Sequence, residues 1–153
     1  MKINGNDALV NRTIVTLPRG TGDLTVTVRA VPLGWLRQFL ALMPPVAPPQ
    51  KPTGVVTNAG PKMEADWEDE TFRKAFAERQ DLSSFFMLYL VLKESPEIEL
   101  VTRTVTTPDD LRTFRAEIEA SGLSDGDVNI LLDAIRSLSN LGSQEVAARR
   151  AGF

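Results

Sequence analysis

The sequence predicts an α+β fold that is mainly helical, with an N-terminal β-hairpin, a proline-rich linker and then a bundle of about three to four helices. Three observations support this prediction. Apolar and polar residues alternate near the N-terminus, six of the ten prolines fall within residues 44–62, and apolar residues recur at helical spacing after residue 63. With 153 residues, of which 42% are hydrophobic, the chain suits one domain with a buried core.

Residues 1–43 are predicted to form the hairpin and a short helix. The hairpin strands are residues 12–18 and 24–31, since "LTVTVRAV" alternates strictly between apolar and polar side chains. Gly20 and Gly22, between the strands, favour a hairpin loop. A phosphate-binding loop is not favoured, because a strand follows these glycines where a phosphate loop would run into a helix.

The stretch "VPLGWLRQFLALMPP" predicts a short amphipathic helix after the hairpin. Pro32 suits a first helical position, and Trp35 and Phe39 fall on one face at helical spacing. Pro44 and Pro45 end this helix, because proline lacks an amide proton and disfavours helix at the residue before it.

Residues 44–62, "PPVAPPQKPTGVVTNAGPK", are predicted to be a linker or a long extended loop of polyproline character. The sequence "PPVAPP" contains a P-x-x-P pattern that could dock onto an aromatic groove of a partner. A semi-rigid spacer is the favoured interpretation, because the pattern is short and common.

Residues 63–153 are predicted to be the helical region. In "EADWEDETFRKAFAERQ", Asp66 suits an N-cap and Asp69 completes an imperfect capping box, so a helix from about Trp67 to Lys93 is expected. Six of the ten aromatic residues lie between Trp67 and Tyr89, so this helix is predicted to anchor the core.

The remaining segments predict further helices. Residues 97–106 alternate and are β-branched, which leaves a third strand and an extended crossing both open. Thr107 and Ser124 are predicted N-caps of two helices, and a last short helix is expected over residues 143–150 after Gly142.

The composition argues against an enzyme. The chain has no His and no Cys, which excludes imidazole and thiolate chemistry, disulfides and the common structural zinc sites. The acids of residues 64–70 are interpreted as a helix start matched to the helix dipole, since they do not converge as metal ligands do. We therefore expect no cofactor and no metal. A carboxylate-dependent hydrolase using Asp66, Asp69 or the pair Asp109 and Asp110 is a weaker alternative.

Charge is distributed unevenly along the chain. Residues 1–62 hold seven basic and two acidic residues, a net of +5, and residues 63–153 hold ten basic and eighteen acidic residues, a net of -8. No Lys/Arg cluster with interleaved aromatics occurs, so nucleic-acid binding is not expected. The longest apolar runs, such as "FFMLYLVL", are too short for a bilayer and the N-terminus lacks a signal-peptide core, so we expect a soluble intracellular protein with no membrane partner.

The order of segments resembles a known family. A hairpin of the type "VTLPRGTGDLTVTVRAVPLGWL", the proline-rich "MPPVAPPQKP", the acidic "ADWEDETFRKAFAERQ", an apolar helix and the closing "LSDGDVNILLDAIRSLSNLGSQEVAARRAGF" follow one another. In its order of segments and in their residue character, most of the chain resembles the tail assembly chaperones of long-tailed bacteriophages of the siphophage type.

The resemblance implies a non-enzymatic, largely helical protein made late in infection in the host cytoplasm. It would bind the tape measure protein and help to recruit tail tube subunits; self-association into a homo-oligomer is kept open. The surplus apolar faces of helix 67–93 and of residues 33–43 would hold the client. The expected partner-binding residues are Trp35, Phe39, Trp67, Phe85, Leu88, Tyr89 and Leu92. The alternative is a structural virion component, such as a neck or tail-completion protein.

Overall fold

The computed structural model describes residues 2–4, 6–7 and 11–140. The strands are β1 Lys2–Ile3, β2 Asn6–Asp7, β3 Arg12–Leu17, β4 Leu24–Arg29, β5 Gln50–Thr57 and β6 Gly60–Ala65. The helices are α1 Trp35–Leu42, α2 Glu70–Leu92, α3 Pro108–Ala120 and α4 Asp125–Leu138. Helices make up more of the described residues than strands do, so the predicted α+β, mainly helical class is confirmed.

Helix α2 forms the centre of the core, as predicted. Its last seven residues, Phe86–Leu92, are all buried, which means that this half of the helix is enclosed on every side. Helices α1, α3 and α4 and strand β4 surround it. The first half is different, because only Phe72 and Leu82 are buried there. The helix is therefore a core element at its C-terminal end and a surface element at its N-terminal end.

The hairpin of β3 and β4 covers one side of α4. Its antiparallel register pairs Val15 with Val26, which places these two residues, with Leu17 and Val28, on one inner face. All four are buried and belong to the same core cluster as α2 and α4. This confirms the two strands predicted from the alternating sequence.

The segment between α2 and α3 is an extended crossing, and the structure forms no strand over residues 97–106. Side chains take the place of a neighbouring strand there. The carboxylate of Glu117 accepts the backbone N–H groups of Val101 at 2.6 Å and Thr102 at 2.9 Å. The alternating pattern of this segment reflects one-sided burial, since Ile98, Leu100 and Val105 pack partly buried against the core cluster.

Residues 44–62 were predicted to be a linker, and for most of this range that prediction is wrong. Strands β5 and β6 pair antiparallel, and within this range residues 44–49 and the turn at 58–59 lie outside a strand. Two prolines occupy the strands, Pro52 in β5 and Pro61 in β6. A two-stranded hairpin tolerates these prolines because both of its strands are edge strands. The N–H that proline lacks can then fall on the outer edge, where it is not needed for hydrogen bonds between the strands.

The starts of α3 and α4 are as predicted. Thr107 caps α3 and Ser124 caps α4, each in a reciprocal capping box with the acid three residues later, Asp110 and Asp127 respectively. Both motifs are local, because each needs side chains only three residues apart. The sequence alone therefore locates these two helix starts.

Helix α2 begins three residues later than predicted. Its N-cap is Asp69, whose carboxylate accepts the N–H of Phe72 at 2.8 Å. Asp66 was the predicted N-cap, and this is wrong. The N–H of Asp66 instead bonds the carbonyl of Pro49 at 2.7 Å, and its carboxylate accepts the N–H of Glu68 at 3.1 Å. The hairpin that the sequence reading missed holds Asp66 outside the helix.

Helix α1 also begins later than expected, at Trp35. Gly34 precedes it in the left-handed conformation with φ 84°, so Pro32 is not its first residue. The end of α1 before Pro44 agrees with the prediction. The short helix expected over residues 143–150, and Gly142 before it, lie outside the described residues.

Candidate functional site

The acidic cluster before α2 does not form a metal site. Among the described residues no group of three His, Cys, Asp or Glu side chains could hold a metal ion. The acids are used separately instead, Asp69 as the cap of α2 and three others in ion pairs. These pairs are Lys51–Asp66 at 3.6 Å, Arg73–Glu68 at 3.1 Å and Lys74–Glu70 at 3.0 Å.

Two other carboxylates have strongly lowered pKa values, and both fasten the hairpin of β3 and β4 to the rest of the chain. Arg19 donates two hydrogen bonds to Asp127, at 3.1 and 2.7 Å, and these lower the pKa of Asp127 to about 2. The hydroxyl and the N–H of Thr27 donate to Glu97 at 2.5 and 3.1 Å, and the pKa of Glu97 is likewise lowered to about 2. Each is bound by neighbouring donors, so these carboxylates hold structure together.

An aromatic ladder lies at the start of α2, formed by Trp67, Phe72 and Phe76. Trp67 meets Phe72 edge-on with ring centroids 5.7 Å apart, and Phe72 meets Phe76 at 5.8 Å. The outer two side chains are open to solvent, since Trp67 is 63% exposed and Phe76 is 45% exposed. Large exposed aromatic rings are typical anchors of protein–protein contacts.

The hairpin of β5 and β6, called here the hairpin arm, has one apolar and one polar face. Its register pairs Pro52 with Met63 and Val56 with Pro61. Paired residues of an antiparallel hairpin share a face and side chains alternate along β6, so these four residues lie on one face with Ala65 and its partner Gln50, called here the arm face. Strand β5 is irregular between Pro52 and Val56. Val56 is 80% exposed and Met63 is 47% exposed. The opposite face carries Lys51, Lys62 and Glu64, so the arm face itself holds no charge.

No described helix or strand packs extensively along the hairpin arm. A two-stranded hairpin without such support is only marginally stable in water. The base of the arm is held instead, by the bond from the N–H of Asp66 to Pro49 and by the Lys51–Asp66 pair. The arm therefore extends from the body with its apolar face uncovered.

The spacer before the arm, residues 44–49, is fixed at its other end. The Arg79 side chain donates to the carbonyls of Met43 at 3.1 Å and Pro44 at 3.2 Å, and its guanidinium lies 5.0 Å from the centre of the Phe39 ring. Four of the six spacer residues are proline, which favours a stiff extended backbone.

Helix α1 presents a second uncovered apolar surface, the α1 stripe, formed by Leu33, Leu36 and Leu40. Leu36 and Leu40 lie one turn apart on the helix, and Leu33 stands just before it. Leu33 is fully exposed, Leu36 is 53% exposed and Leu40 is 39% exposed. Buried Phe39 lies on the adjoining side of the same helix, where its ring centroid is 5.8 Å from that of Phe86 in α2.

The predicted partner-binding residues separate into core and surface. Phe39, Leu88, Tyr89 and Leu92 are buried in the central cluster, and Trp35 and Phe85 are half-buried against it. Leu88 and Leu92 were expected to widen an accessible face, and their burial contradicts this, because other elements enclose α2 around its whole circumference. Their role in partner binding stays a prediction that would require the core to open. Trp67 is the member of the set with a largely exposed side chain.

Sequence reasoning missed the arm face, although a signal was present. Pro61, Met63 and Ala65 alternate with Lys62 and Glu64, which is the period of an amphipathic strand. The proline count of the surrounding segment outweighed this short pattern in the prediction.

Comparison of the chain with protein-family models, with curated proteins and with solved structures gives no match. None of the described helices has the length and apolar character needed to cross a bilayer.

Proposed function

We propose that this protein is a non-enzymatic tail assembly chaperone of a long-tailed bacteriophage, which binds the tape measure protein and tail tube subunits in the host cytoplasm. The segment order of the sequence supports the family. The observation that carries the proposal is the aromatic ladder of Trp67, Phe72 and Phe76, an exposed apolar surface in a chain that has neither His nor Cys.

The ladder suits an apolar client because its outer rings are large and its central ring is fixed. Phe72 is buried, so it holds the rings of Trp67 and Phe76 in place at 5.7 and 5.8 Å. An anchored ring loses little conformational freedom on binding, which raises the affinity gained per contact. Five carboxylates lie within residues 64–70, beside Trp67, and they keep this apolar surface in an acidic, hydrated surrounding.

Co-expression with the neighbouring tape measure gene tests the proposal. We expect the client to co-purify with the wild-type chain and to lose this association when Trp67→Asp is introduced. The matched control is Val101→Asp, at a site that is 86% exposed and distant from the ladder in sequence. Failure of the wild type to co-purify, or equal binding by the folded Trp67→Asp variant, would reject the proposal.

The second candidate is a structural component of the virion, such as a neck or tail-completion protein. The hairpin arm favours this second function. Hydrogen bonds fix the arm at its base, and Arg79 fixes the spacer that precedes it, which suits a subunit that stays in an assembly. Mass spectrometry of purified particles separates the two functions. A chaperone is nearly absent from the finished particle, whereas a structural component is present in fixed stoichiometry.

A further inference from the structure

A cavity of about 320 Å³ lies between strand β4, the crossing from α2 to α3, and helices α3 and α4. Side chains of the core form its floor, since Leu17, Leu92 and Leu131 line it and have no solvent exposure. An apolar floor with a few polar groups around it is typical of ligand sites, and this volume lies at the lower end of their range. The cavity is therefore large enough for one apolar side chain of a partner.

Three carboxylates line the same cavity, those of Glu97, Glu99 and Glu117. Within the described part of the chain, none of them forms an ion pair with Lys or Arg. Glu97 accepts hydrogen bonds from neutral groups of Thr27 and Ser95. Glu117 accepts two backbone N–H groups, which are also neutral. The cavity therefore has an apolar floor and a negatively charged rim without a paired cation.

The free edge of β4 borders this cavity at Thr25. The N–H of Ala30 bonds the carbonyl of Asn11 in β4's approach to β3, and inward and outward backbone groups alternate along an antiparallel strand. The N–H and C=O groups of Thr25 and Thr27 therefore point away from β3. At Thr27 the outward N–H reaches the carboxylate of Glu97 at 3.1 Å, which agrees with this alternation. The outward groups of Thr25 have no hydrogen-bond partner among the described residues.

We propose that this cavity binds an extended segment of a partner protein in which an apolar side chain is flanked by Lys or Arg. One residue of the segment pairs with the backbone of Thr25, as in strand addition. The next side chain of the segment then points to the same side as Leu24 and Val26 and enters the cavity. The paired residue itself points to the side of Thr27, whose hydroxyl binds Glu97, so a basic side chain there meets the charged rim.

Charge selects this partner over an apolar segment of neutral or acidic character. Hydrogen bonds from Thr27 and Ser95 lower the pKa of Glu97 to about 2, so this carboxylate is ionised at neutral pH. Salt screens attraction between exposed charges, so binding weakens as the ionic strength rises. None of the three residues of the aromatic ladder lines this cavity, so the inference does not depend on the function proposed above.

An NMR titration of the full ¹⁵N-labelled chain tests the proposal. The probe is a peptide Thr-Lys-Leu-Lys-Thr, acetylated and amidated at its ends. We expect the amide signals of Thr25 and Leu100 to shift, with a dissociation constant of about 0.1–1 mM that rises with salt. A peptide with Glu in place of both Lys should bind at least about tenfold more weakly, because like charges then meet. A peptide with Ser in place of Leu should lose about as much, because the cavity is no longer filled by an apolar group.

Two variants of the chain test the rim and the wall separately. Glu99→Gln removes one rim charge from a side chain that has no hydrogen bond or ion pair with other described residues, and should raise the dissociation constant about two- to fivefold. Leu24→Lys replaces a half-exposed wall residue by a cation, and should raise it about tenfold or more. The matched control is Glu64→Gln, the same change on the hairpin arm, which should leave the affinity unaltered.

Circular dichroism and the thermal midpoint establish which variants are folded. Equal affinity of either folded variant and the wild type, or equal binding of the Lys and Glu peptides, would overturn the site. Equally tight binding of n-butylamine would overturn the role of the strand edge, since an amine alone would then suffice. Shifts confined to the aromatic ladder would also reject this site, while leaving the proposed function intact.

Discussion

Leu88 provides the sharpest test of the division of α2 into a core half and a surface half. Its side chain has no solvent exposure and lies between other buried residues of the central cluster. Substitution Leu88→Ala removes three buried carbon atoms, which costs about 2.4 kcal/mol at ~0.8 kcal/mol each. The cavity left behind adds to this, and buried Leu→Ala changes lie in the range of about 2.7–5 kcal/mol. We expect a loss of about 3 kcal/mol.

Urea unfolding monitored by circular dichroism measures this loss, together with the thermal midpoint. For a chain of this size about 3 kcal/mol corresponds to a midpoint lowered by roughly 6–12 °C. The matched control is Leu33→Ala, the same change at a fully exposed side chain, measured at low micromolar protein. It should alter the free energy of unfolding by less than about 0.5 kcal/mol.

The contrary result is equally specific. If Leu88→Ala lowered the free energy of unfolding by less than about 1 kcal/mol, with an unchanged slope against urea concentration, this side chain would lie on the surface. If the same variant also lost the client, the core assignment would be wrong and Leu88 would belong to the partner-binding surface.

Two further predictions concern hydrogen-bonded carboxylates. The pKa values of Glu97 and Asp127 are about 2 in the folded chain, below their ordinary 4.5 and 3.8, so the folded state binds fewer protons than the unfolded state. Their stabilisation is complete above about pH 4.5 and is lost as the pH falls towards 2. The free energy of unfolding should differ less between pH 7 and pH 3 in Glu97→Gln than in the wild type. An equal difference in the two proteins would contradict this role. Asp69→Ala should lower the free energy of unfolding by about 1 kcal/mol, since the N–H of Phe72 loses its acceptor, whereas Asp69→Asn should lower it little. Equal thermal midpoints for Asp69→Ala and the wild type would exclude Asp69 as the cap.

Features decided by neighbouring residues could be predicted from the sequence. The helix capping boxes at Thr107 and Ser124 each depend on an acidic residue three positions later, and both form as expected. The strands around Val15 and Val26 alternate over enough residues to be recognised. In these cases the local preference and the final fold agree.

The position of α2 in the core could not be predicted in the same way. Periodicity identifies an apolar stripe but not how many elements will enclose the helix. Leu88 and Leu92 lie off the main stripe, which suggested an accessible surface, yet α1, α3, α4 and β4 together bury them. The start of α2 was misplaced for a related reason, since the partner of Asp66 is Pro49, on the far side of the hairpin arm.

The hairpin arm shows how prolines can conceal a strand in the sequence and still suit the structure that forms. Pro52 and Pro61 made the segment read as a linker, because prolines interrupt most sheets. In a hairpin with no neighbouring strand the same prolines protect both edges from further pairing. The apolar face of Val56 and Met63 is then the part of the arm that remains available, and it is uncovered in the single chain. A surface protected at its edges and open on its face suits docking through side chains, and on this ground we propose that the arm is an interaction surface rather than a connecting segment.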